Sequence, residues 1–130
     1  MNPCADAQLA VEPLPRAVPA ARRALADALA RAGVPAPAAA DAGLVLTELL
    51  ANAIQHGSPR ADGSLGVAWQ IAVDEIVLEV SDGGPTARAE KPDAAPGESG
   101  GRGLVLVRAL STFELTTGPD GTSARATIPR

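Results

Sequence analysis

Aromatic side chains are almost missing from this chain. Its 130 residues include no tyrosine, one tryptophan (Trp69) and one phenylalanine (Phe113), so the core is expected to be aliphatic and basic clusters with interleaved aromatics do not occur. Cysteine is just as scarce: Cys4 stands alone near the start, which rules out a disulfide framework or a cysteine-based metal site built from this chain and is compatible with a reducing compartment. Long hydrophobic runs are missing too. No stretch of about 18 apolar residues occurs, and Met1 to Ala10 lacks a basic segment followed by an apolar one, so neither a membrane span nor a signal peptide is expected and a cytoplasmic protein is. No cluster of basic residues offsets the formal charge of -4 or the pI near 4.9, which argues against direct nucleic-acid binding.

What is present is a chain of ordinary apolar content, 46%, long enough for one domain over residues 1–130 and too short for two. Residues 1–15 are proline-rich and weakly patterned, with Gln8 to Leu14 a candidate edge strand. From about Val18 to Ala32, strong helix formers place Ala21, Leu25, Ala28, Leu29 and Ala32 on one stripe, and Gly33 stops it. A second helix is predicted from Pro37 or Ala38 to Gln55, with Gly57 and Pro59 as stop signals. Leu65 to Val73 and Glu75 to Ser81 read as a hairpin. Residues 82–102 carry glycines, prolines and scattered charges without periodicity, too long for an ordinary connector and so a functional lid. Helical patterning resumes from Gly103 to Leu110, and Thr112 to Thr117 with Thr122 to Ile128 form a second hairpin around Gly118-Pro119-Asp120-Gly121. Strands grouped with strands predict an α+β two-layer sandwich: a mixed, mostly antiparallel sheet with helices on one face.

Chemistry concentrates in three places. Glu48, Asn52 and His56 recur every four residues in Thr47-Glu48-Leu49-Leu50-Ala51-Asn52-Ala53-Ile54-Gln55-His56-Gly57, so they stack on one edge of an otherwise apolar helix. Such a row is costly to desolvate unless paired, and a divalent metal with a phosphate would pair with it; His56 is also an ordinary dipole partner at a helix C-terminus. Asp82, in Asp82-Gly83-Gly84-Pro85, places a carboxylate where the chain leaves a strand; it can accept a hydrogen bond from a ligand amino group or serve simply as a turn acid. Gly97-Glu98-Ser99-Gly100-Gly101-Arg102-Gly103-Leu104 feeds a glycine-rich turn into a helix, aiming bare N–H groups and the positive dipole end at a volume that favours phosphate. Arg102, Arg88 and Lys91 are the basic side chains available between Asp82 and Leu104.

Taken in order, these pieces resemble the Bergerat-type ATP-binding fold of gyrase, MutL and histidine kinases, and within it the small anti-sigma factor serine/threonine kinases of bacterial partner-switching systems. The likeness spans nearly the whole chain. It implies that Glu48-Leu49-Leu50-Ala51-Asn52-Ala53 is the N box, with Asn52 binding Mg²⁺ and Glu48 acting as general base. It further implies that Asp82 reads the adenine amino group with Gly84 beside it, that Gly101, Arg102, Gly103 and Leu104 wrap the phosphates of ATP, and that Thr122 reaches the adenine pocket. His56-Gly57 fits the family's helix ending. The chain departs from the family pattern at Thr86, where a further glycine is usual.

Two functions follow as expectations. In the first, ATP with Mg²⁺ binds between the second helix and the lid, and the γ-phosphate passes to a serine or threonine of an anti-sigma-factor antagonist protein. In the second, ATP is a structural ligand and the protein sequesters a sigma factor or similar regulator without phosphoryl transfer. The catalytic domain of a two-component histidine kinase fits less well, since His56 belongs to the N-box helix and no other histidine exists. A homodimer through helix one or the sheet is left open.

Overall fold

A computed structural model describes residues 5–84, 99–119 and 121–130. In chain order the elements are β1 (Ala5–Val11), α1 (Ala17–Arg31), α2 (Ala36–His56), β2 (Leu65–Ile71), β3 (Glu75–Asp82), α3 (Ser99–Leu110), β4 (Thr112–Gly118) and β5 (Gly121–Pro129). The five strands make one sheet in the order β1-β2-β3-β5-β4. Every pairing is antiparallel, which narrows the expected mixed, mostly antiparallel sheet to a wholly antiparallel one.

Strand alternation assigns the two faces. Ile76, Leu78 and Val80 of β3 lie opposite Ile128, Ala126 and Ala124 of β5, and opposite Ile71, Trp69 and Val67 of β2. All belong to or pack on the core, whereas Glu79, Arg125 and Gln70 share the other face. The helices cover the apolar side: α2 packs on β3 and β5, α1 on β1 and β2, and α3 on α2 and β4. This is the two-layer α+β sandwich that the element order implied.

In α1, Ala17, Ala21, Leu25, Ala28 and Leu29 are buried at helical spacing. The helix closes in a Schellman motif, with the Val34 N–H donating to the Leu29 carbonyl at 3.0 Å and the Gly33 N–H to that of Ala30 at 3.1 Å. Gly33 has φ +74°, the left-handed conformation that this motif assigns to glycine. In α2 no side chain caps the N-terminus, but Val45, Leu46, Leu49 and Leu50 are buried to 2% exposure or less. Each contributes about 1.5–3 kcal/mol on burial against about 0.5–2 for a missing cap, so the apolar face fixes the helix.

Two boundaries moved in an informative way. The edge strand runs over Ala5–Val11 instead of Gln8 to Leu14, because it pairs along β2 from Ala5 opposite Ile71 to Val11 opposite Leu65 and stops before Pro13, which has no ladder N–H. Helix α3 starts at Ser99, four residues before the expected Gly103; Gly100, Gly101 and Gly103 hide it, since glycine costs about 1 kcal/mol per helical position.

Candidate functional site

Among the described residues no polar or charged side chain is fully buried, so the candidate residues stand at the margin of the core. Asp82 is the last residue of β3 and lies opposite Thr122, near the start of β5. It continues the face of Ile76, Leu78 and Val80, turning an apolar stripe polar where it reaches the sheet's end. Thr122 in turn lies opposite Thr117 of β4, the two hydroxyl oxygens 3.4 Å apart. A row Asp82–Thr122–Thr117 therefore crosses three strands on the helix side.

Beyond Asp82 the chain makes a tight turn. The carboxylate Oδ1 accepts the Gly84 N–H at 2.8 Å, an Asx turn, while Oδ2 lies against the Cα of Gly57, where a Cβ would overlap it. Gly57 is extended, φ -88° and ψ -176°. It ends α2 without the left-handed conformation usual for a stop glycine, and the bare Cα serves to admit the Asp82 carboxylate. Gly84 (φ +100°) and Gly121 (φ +142°) meet on the other side, where a Cβ on Gly84 would come within 2.7 Å of the Gly121 Cα. Bare backbone on both flanks packs the end of β3 between the end of α2 and the start of β5.

Glu48 and Asn52 lie two turns and one turn before the end of α2, both half-buried. Neither takes part in a hydrogen bond or ion pair among the described residues, so both keep their full donor and acceptor capacity. His56 ends the helix with its side chain exposed. No group of three or more His, Cys, Asp or Glu among the described residues is placed to hold a metal. A divalent ion beside α2 would therefore draw most of its oxygen ligands from a bound phosphate and water, with Asn52 as the protein donor. That donor set suits Mg²⁺, which usually takes few protein ligands at nucleotide sites.

Helix α3 packs principally on α2, which brings its N-terminal turn to the α2 side of the sheet. Gly101 falls in that first turn, where amides have no partner within the helix, whereas Arg102, Gly103 and Leu104 follow it at positions whose amides are used by the helix itself. Only the backbone of Gly101, Arg102 and Gly103 is described, and the lid residues Thr86, Arg88 and Lys91 lie outside the described residues. The sequence reading missed Ser58, whose hydroxyl donates to the Gly84 carbonyl at 3.0 Å, and the packing roles of Gly57 and Gly121. No linear signal marks any of these, because each depends on a segment far away in sequence. A separate groove of about 230 Å³ opens between α1 and α2, lined by Arg22, Ala26, Leu29, Ala39, Ala40 and Gly43.

No curated protein matches this chain. A chain comprising the RsbU and RsbW domains of Rv1364c from Mycobacterium tuberculosis is similar in fold, with a TM-score of 0.72 at 23% identity over 97% of this chain. This chain covers 33% of that one. The histidine kinase domain of a blue-light activated histidine kinase from Erythrobacter litoralis aligns over 74% of this chain and 46% of its own at 25% identity, with a TM-score of 0.42. The model of the histidine kinase-like ATPase domain matches residues 11–128, from the end of β1 to the end of β5, and the chain belongs to that family.

Proposed function

We propose that this domain binds ATP with Mg²⁺ and transfers the γ-phosphate to a serine or threonine hydroxyl of an anti-sigma-factor antagonist. The observation that carries the reading is the packing of the Asp82 carboxylate against Gly57. Through it the adenine-reading group and the α2 row of Glu48 and Asn52 become parts of one surface.

The family membership supports ATP as ligand, and the fold shared with an RsbW-containing chain supports the regulatory context. Asp82 accepts a hydrogen bond from the adenine amino group, with Thr122 beside it. Amides of the first α3 turn, including that of Gly101, face the phosphates, with Arg102 next in the chain. Asn52 supplies the protein oxygen for the metal. When bound, Mg²⁺ neutralises charge on the phosphate oxygens. The acceptor hydroxyl oxygen forms a bond to the γ-phosphorus, the bond from that phosphorus to the β,γ-bridging oxygen breaks, ADP departs, and Glu48 takes the hydroxyl proton.

The test incubates the protein with γ-labelled ATP, Mg²⁺ and candidate antagonist proteins. Label on a serine or threonine of a partner is the expected result. A stable partner complex that retains ATP with no label on any partner refutes the transfer and favours sequestration.

A further inference from the structure

Ser58 joins two segments that the proposed nucleotide site uses separately. It is the second residue after α2, and it holds the turn beyond β3 with two hydrogen bonds of opposite direction. Its carbonyl accepts the Gly83 N–H at 2.6 Å, and its hydroxyl donates to the Gly84 carbonyl at 3.0 Å. Gly84 also donates its N–H to Asp82 Oδ1 at 2.8 Å. One glycine is thus held from its carbonyl by Ser58 and from its amide by Asp82. The two bonds hold the peptides on either side of the Gly84 Cα, so the Ser58 hydroxyl helps fix the residue whose amide holds the Asp82 carboxylate.

The loop carrying Ser58 is itself braced. The Arg60 N–H donates to the Ser64 carbonyl and the Gly63 N–H to that of Arg60, both at 2.8 Å. The Arg60 guanidinium reaches the Ser64 hydroxyl at 2.8 Å. Asp62 accepts the Ser64 hydroxyl at 2.7 Å and the Ser64 N–H at 3.0 Å, and these bonds, the hydroxyl's first, hold its carboxyl below the usual carboxylate range. Gly83 adds to the fit: a Cβ on it would overlap the Pro59 carbonyl, so at this point the turn and the loop meet backbone to backbone. A hydroxyl on such a support is preorganised and loses little entropy in holding its acceptor.

We propose that Ser58 is a positioning residue for base recognition, orienting the Asp82 carboxylate toward the base through Gly84 and so setting the preference for an adenine over a guanine nucleotide. The proposal rests on the ATP site described above. It makes no use of the phosphoryl-transfer step.

The experiment measures Mg-ATP and Mg-GTP affinity by calorimetry for the full chain and for Ser58→Ala, Ser58→Cys and Ser58→Thr. The alanine variant is expected to lose about tenfold in ATP affinity, the scale of one hydrogen bond, and to lower the ATP-to-GTP affinity ratio, while threonine, which keeps the hydroxyl, restores that ratio. Cysteine, nearly isosteric with a weak donor, carries the same expectation should the alanine variant not fold. An unchanged ratio in the folded alanine or cysteine variant overturns the proposal, as does a lowered ratio that threonine fails to restore, since that result assigns the effect to packing. A parent protein that binds no adenine nucleotide defeats the ATP-site reading itself. One that discriminates as strongly as its Ser58 variants defeats only the role of Ser58.

Discussion

Asp82 stands directly across the sheet from Thr122, on the face where the three preceding β3–β5 pairs, Val80–Ala124, Leu78–Ala126 and Ile76–Ile128, are entirely apolar. This polar pair lies forty residues apart in the chain, at the point where the sheet's apolar face gives way to the end of α2. A carboxylate here has apolar strand residues on one side and bare glycine backbone on the other, the place where the proposed function puts the reader of the base.

Asp82→Ala removes the proposed reader of the adenine amino group. ATP affinity should fall by about 1.5–3 kcal/mol, the range for a hydrogen bond to a charged group, and the preference for ATP over GTP should shrink. Calorimetry on the folded variant checks both, and equal ATP affinity contradicts the pocket.

Glu48→Gln keeps the shape of the side chain while removing its ability to take a proton. Transfer of label to an antagonist should drop by about 10² to 10⁴, the worth of a positioned base, with ATP affinity close to that of the parent. Undiminished transfer refutes the assigned role.

Gly57→Ala and Gly33→Ala separate two reasons for a glycine. At Gly57 the backbone is extended, and the added methyl meets the Asp82 carboxylate and comes within 2.8 Å of the Ala53 carbonyl, so overpacking should cost about 1–3 kcal/mol and ATP affinity should fall with it. At Gly33 nothing lies within 4 Å of the new methyl, and the left-handed φ alone should cost about 1–2 kcal/mol with ATP affinity unchanged. Urea unfolding and nucleotide titration of both variants test the contrast, and parent-like affinity in Gly57→Ala would sink the link between helix end and pocket.

Arg130→Met probes the opposite end of the sheet. The Arg130 guanidinium donates to the Ala72 carbonyl at 2.6 Å and to the Ala32 carbonyl beyond α1 at 3.2 Å, tying the β2–β3 turn to the helix layer. Losing both from a half-exposed side chain should destabilise the fold by about 1.5 kcal/mol, the lower end for charged hydrogen bonds. The unfolding midpoint should fall while nucleotide affinity stays constant.

Much of the fold was legible in the chain because it rests on local periodicity. The α1 stripe from Ala21 to Leu29 is buried as its spacing required, and Gly33 ends that helix in the left-handed conformation expected of a stop glycine. The start of α3 was not legible, since Gly100, Gly101 and Gly103 argue locally for a loop, and only packing on α2 compensates for their low helix propensity. For the site, the spacing of Glu48 and Asn52 was visible as a row on one helix edge. Gly57 ends α2 as expected, but its packing role was not legible for a physical reason: its backbone is extended, and its bare Cα admits a carboxylate that arrives from another element.

The amino-acid order alone determined which residues share a helix edge or a strand face, because those relationships depend on periods of 3.6 and 2 residues set by backbone geometry. It also determined that the core would be almost wholly aliphatic, with Trp69 the one aromatic side chain buried in it among the described residues. Only the tertiary structure decided that Asp82, Thr122, Gly57, Ser58 and Gly121 meet. Strand register and close backbone approach arise between segments separated by tens of residues, and they are selected by the burial of the whole apolar face, a property that no single stretch of chain carries.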